Sequence, residues 1–256
     1  MLQSSVSRAP WLRIIFATLI MTPSAGGSIN FKQSDRLIQP EELRRVNASA
    51  DIFIKRFRET LDVGEVFDEM AIPDAIQRLQ RSRSFEALGA GDMASEMDTA
   101  TARRLYRAFM NLYYLRSIYI AGNKKTNADP DSVRLPRELR AAIQRSPYLR
   151  LLLTQGVGDP PDITTKQELE AYIADQEKVA NLYRKYLPPN VFNDSLYRAN
   201  IAALDKTRGK PFEIINGYPN LEIKEDTKVF IVRREVFTIY FVQVSGKFKI
   251  FLLGLE

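Results

Sequence analysis

The chain of 256 residues contains no cysteine and no histidine, and its single tryptophan is Trp11. Without cysteine no disulfide can staple the fold, so it must stand on its hydrophobic core. Without histidine no side chain titrates unaided between about pH 5 and 8. Ser-His-Asp triads, Cys-His pairs and imidazole or thiolate metal sites are excluded together. Histidine-free nucleophile schemes are missing as well. No serine is followed three positions later by lysine, and neither G-x-S-x-G nor G-x-x-x-x-G-K occurs. No cofactor and no catalytic residue is expected.

What is present is a chain 45% hydrophobic, enough to build a core, with 37 basic against 31 acidic side chains. The resulting excess of +6 is mild and disfavours nucleic acid as a partner. The one long apolar run lies in "RAPWLRIIFATLIMTPSAGGS", residues 8–28. Arg8 and Arg13 flank its start, Ile14–Met21 is apolar except for Thr18, and Pro23 leads into small residues. That order is the pattern of a secretory signal, and the run falls short of the about 20 residues a spanning helix needs. Residues 1–26 are therefore expected to be a signal peptide cleaved after Gly26. The mature chain is expected in a bacterial periplasm or outside the cell, with no membrane span and, lacking cysteine, no lipid anchor of the lipoprotein kind.

After a polar lead-in over 27–39, the apolar period is helical. Leu43, Val46, Ala50, Phe53, Phe57 and Leu61 form one stripe after Pro40, a favourable first helical residue. Gly64 is expected to interrupt that helix. Opposite charges four apart (Asp51 with Lys55, Lys55 with Glu59, Arg58 with Asp62) predict local pairs on its polar face. Further helices are predicted over Asp74–Arg81, Asp98–Ala121, from Pro136, from Ser146-Pro147, from the Thr165/Glu168 capping box to Leu187, and over Asn193–Asp205. Gln176 is the one polar break in the apolar face of the helix that begins at Thr165.

From residue 209 the period changes to two. "PFEIINGYPNLEIKED" predicts one or two short strands. "TKVFIVRREVFTIYFVQVSGKFKIFLLGLE" predicts three, turning near Arg234-Glu235 and at Ser245-Gly246. Helices followed by strands define an α+β class: a helical region over 40–208 packed with a C-terminal antiparallel β-meander over 209–256, as one unit. The closing "SGKFKIFLLG" resembles the last hairpin of NTF2-like and cystatin-like proteins, which implies a curved sheet wrapped around a helix. The resemblance is confined to that hairpin and carries no functional residue with it.

Candidate sites are few. "GAGDMA", Gly89–Ala94, fits G-x-G-x-x-A but has no strand before it, and reads as an interhelical loop. "NADPDS" lacks the glycine and distal glutamate of a calcium loop. Glu65, Asp68 and Glu69 share helical spacings suited to acid–base work or a cation, or simply to a solvated face. "VRLPRELRAAIQRSPYLR" holds Arg134, Arg137, Arg140, Arg145 and Arg150 against Glu138 alone, with Arg137 and Arg140 on one helical face, as a solvated face or as contacts for an anionic surface. Phe237, Tyr240 and Phe241 are candidate ligand contacts on the aromatic sheet. The expected function is a non-enzymatic binding or interaction module, its partner another envelope protein or a small apolar ligand. The alternatives are a carboxylate-dependent hydrolase of cell-wall or extracellular glycans, and a peripheral envelope protein using the basic helix face.

Overall fold

The computed structural model describes residues 39–82, 84–124, 133–150 and 163–254. The signal segment, nearly all of the lead-in, Arg83 and the NADPDS turn lie outside the described residues. Helix α1 (Pro40–Thr60) buries Val46, Ala50, Phe53 and Phe57 of the predicted stripe together with Ile54, while Leu43 and Leu61 at its two ends are half-buried. It stops before Gly64, because Leu61 turns left-handed at φ 51° and its amide bonds Phe57 O. Asp62 then caps α2 (Val63–Met70), accepting from the Glu65 amide at 3.0 Å, so Gly64 lies inside a helix. Its hydrogen is needed there for another reason: a Cβ would sit 2.1 Å from Cγ of Arg107, which crosses at that point.

Helix α3 (Ala75–Arg81) precedes the GAGDMA stretch, which forms a π-type turn and a 3₁₀ turn with Gly89 at φ 88° and no strand before it. Helix α4 (Thr99–Asn123), capped by Asp98, carries the broadest buried surface and runs past Gly122 to Asn123. Helix α5 (Arg137–Arg145) follows Pro136. Over 147–150 the chain makes turns, with Ser146 Oγ accepting from the Tyr148 amide at 3.2 Å. Helix α6 (Lys166–Tyr186) opens on the complete Thr165/Glu168 capping box. Helix α7 (Ser195–Arg208), capped by Asp194, starts and ends later than its predicted span.

Helices α4 and α6 run parallel. Arg104 near the start of α4 bonds Glu170 and Glu177, Tyr119 stacks edgewise on Tyr183, and Gly122 abuts Pro188 and Val191. Helix α5 returns between these ends: Glu138 at its start holds Lys185 and Tyr186 at the end of α6. Among the described residues no helix is long and apolar enough to cross a membrane.

The sheet is a four-stranded antiparallel meander in the order β1 (Phe212–Tyr218), β2 (Ile223–Arg234), β3 (Phe237–Val244), β4 (Lys247–Gly254). The turns fall at the predicted positions, with Glu235, Ser245 and Gly246 all at positive φ. Both faces are buried. On one, Phe237 inserts among Phe53, Phe57 and Tyr114 at ring distances of 5.3, 5.0 and 4.5 Å, joining the sheet to α1 and α4. On the other, Tyr218 near the end of β1 meets Tyr240 of β3 at 5.9 Å and Phe251 of β4 at 5.7 Å. The end of the β1–β2 hairpin therefore lies across that face. Strand β4 is paired on both sides. Its outer edge receives the Ile72 amide on Ile250 O at 2.8 Å and the Tyr114 hydroxyl on Gly254 O at 2.5 Å, and its Leu253 amide points to the Tyr106 hydroxyl at 3.4 Å.

Candidate functional site: a polar interhelical cleft and an arginine face

A cleft of about 220 Å³ opens where α4, α6 and the α1–α2 junction meet. Ala108 and Ala180 supply its buried apolar lining; Asp62, Arg107, Asn111, Glu177, Asn181 and Arg184 supply the rest. Asp62 is the hub. It accepts from Arg107 Nε at 3.2 Å and Nη2 at 2.5 Å, from Asn111 Nδ2 at 3.0 Å and from the Glu65 amide. Burial opposes its charge, but the hydrogen bonds from Arg107, Asn111 and the Glu65 amide hold its carboxyl below the usual carboxylate range. Asn111 is itself buried and accepts from the Val63 amide at 2.7 Å, so one carboxamide ties α4 to the cap and the first residue of α2. Arg184 reaches over from α6 to donate to Leu61 O at 3.1 and 2.9 Å and to Asn181 Oδ1 at 2.5 Å.

The two carboxylates of this cleft do not form an acid–base pair. Asp62 is held ionised, and both oxygens of Glu177 accept from Arg104 at 2.8 Å. The sequence candidates Glu65, Asp68 and Glu69 are exposed on α2, and two of them are taken up by arginines. Glu69 pairs with Arg56 at 2.8 Å and Asp68 with Arg103 at 3.4 Å, while burial raises the Asp68 carboxyl against the pull of Arg103 and Arg107. Among the described residues no group of three acidic side chains is gathered to hold a metal ion.

The sheet candidates lie in the core. Phe237 and Phe241 are fully buried, and Tyr240 packs against Tyr218 and Phe251. The arginine candidates lie outside. Arg137 and Arg140 on α5 are exposed, as are Arg134 before it and Arg145 at its end. None of these four guanidinium groups bonds another described residue. Elsewhere arginine braces the fold: Arg58 on Glu235, Arg78 on Asp74 and on the Leu221 and Glu222 carbonyls, Arg104 on α6, Arg234 on Asp51. The one acid on α5, Glu138, is already neutralised by Lys185 at 2.7 Å.

The cleft was not legible from sequence, since its residues come from three distant segments with no motif among them; the Arg137/Arg140 face was legible from spacing. Comparison with models of known families, with curated proteins and with solved structures gives no match, and the likeness of the closing hairpin to NTF2-like and cystatin-like proteins rests on its own residues alone.

Proposed function

We propose that the protein is an exported, non-enzymatic interaction module that attaches to an anionic envelope surface through the α5 face. The observation that carries this reading is the set of four exposed guanidinium groups, at Arg134, Arg137, Arg140 and Arg145, that bond no other described residue, whereas the other arginines among the described residues are engaged. All four are arginine, whose planar fork matches phosphate and carboxylate oxygens two at a time. The absence of histidine and cysteine supports a role without catalysis, and the signal-like N-terminus supports export. The occupant favoured is the phosphate layer of an anionic lipid surface, which offers a periodic array to a short helix lying along it.

Co-sedimentation with vesicles tests this directly. Binding is expected to vesicles of phosphatidylglycerol and not of phosphatidylcholine. It should weaken about fivefold for each of Arg137→Gln and Arg140→Gln, from about 1 kcal/mol per basic residue at such a surface. It should also fall with salt as exposed charges are screened. Binding that ignores salt, lipid charge and both substitutions would overturn the reading.

A further inference from the structure

We infer that the cleft between α4, α6 and the α1–α2 junction is a binding site for a small zwitterion of the α-amino-acid class. This stands apart from the α5 face and survives its failure. The cleft's hydrogen-bonding capacity exceeds what the fold uses. Arg107 engages Asp62 through Nε and Nη2, leaving both Nη1 hydrogens without an acceptor among the described residues. Arg184 engages Leu61 O and Asn181 Oδ1 and lies 3.9 Å from Asp62 Oδ2, and the Asn181 Nδ2 group donates to no described residue. Three side chains thus retain donors, the complement a carboxylate requires. On the α6 wall each Glu177 oxygen accepts one bond from Arg104, and a carboxylate oxygen has room for two. That remaining capacity suits an ammonium.

The balance of charge narrows the class. Arg107 and Arg184 lie 2.5 and 3.9 Å from Asp62 and Arg104 holds Glu177, so the charges around the cleft are already matched, and a ligand of net charge would upset that match on losing water. A zwitterion keeps the balance and engages both signs. The volume of about 220 Å³ holds a ligand of several non-hydrogen atoms with accompanying water. The position between packed helices, with small alanines rather than large side chains lining the depth, is a usual setting for such sites.

Isothermal titration of the purified protein with each of the common L-amino acids provides the test, with propionate, ethylamine and glucose as matched controls for L-alanine. At least one amino acid is expected to bind, with its acid-only and amine-only analogues about tenfold weaker or worse, since each leaves charged partners unpaired. Asn181→Ala should weaken binding severalfold with the thermal unfolding midpoint unmoved, because Asn181 is exposed. Glu177→Gln should weaken it through the ammonium. No heat with any amino acid at millimolar concentration would overturn the inference. So would equal binding of propionate, ethylamine or glucose, or indifference to both substitutions.

Discussion

At the scale of single residues, the α1–α2 corner shows how little room a charge network has for alternatives. Gly64 is the clearest case: a methyl group there would occupy the space of Cγ of Arg107. Gly64→Ala is expected to push the Arg107 guanidinium off Asp62 and to cost about 1–3 kcal/mol, the range for overpacking, read by urea denaturation. A glycine inside a helix is normally a weakness, and the spacing alone therefore reads Gly64 as a break. The same stretch explains the fate of the predicted local pairs. Asp51, Arg58 and Asp62 were all legible as charged positions on the outer face of α1, but each is bound from far along the chain, by Arg234, Glu235 and Arg107. An i,i+4 pair contributes only a few tenths of a kcal/mol. A geometrically fixed partner from another element displaces it easily, and no spacing rule announces that partner.

At the scale of elements, hydrophobic period carried most of the information. The stripe of α1, the capping box of α6 and the alternation of β2–β4 all fold as their patterns dictate, and the α+β architecture follows. Period is silent about which edge of a sheet is covered. Strand β4 has its outer polar groups met by Ile72 and by two tyrosine hydroxyls, which removes an edge that would otherwise template pairing with other chains. Burial pushes both phenols well above their usual range, so they remain protonated donors or acceptors at any ordinary pH. Tyr114→Phe should leave Gly254 O short of its donor and cost about 1–2 kcal/mol. Tyr106→Phe, which loses a longer contact of 3.4 Å, should cost less. Equilibrium denaturation of both variants checks the order.

At the scale of the whole molecule, the missing histidine has a measurable outcome. Carboxyls held below their usual range in the folded state, those of Asp62, Asp74, Asp98, Glu138 and Glu168, contribute stability that is complete above the ordinary carboxylate range and is lost as pH falls through their folded values. Asp68, raised by burial, acts in the opposite sense and offsets part of this. No side chain is intrinsically poised to change charge between about pH 5.5 and 8. Thermal unfolding is expected to be flat across that window and to fall steeply only on the acid side. Asp62→Asn should flatten the acid limb; an unchanged limb would show that Asp62 is not its main source.

The covered edge of β4 also sets the order of events when the chain folds. Tyr114 and Tyr106 bond residues 140 and 147 positions further along the sequence, so the largest helix is completed by a strand that emerges long after it. Contacts of that span are slow to find because loop closure precedes any gain. A fragment ending at residue 208 would hold the helices but not the surface that Phe237 fills among Phe53, Phe57 and Tyr114. Completion of the helical core is thus expected to wait for the sheet, and a fragment ending at residue 208 should lack a cooperative unfolding transition.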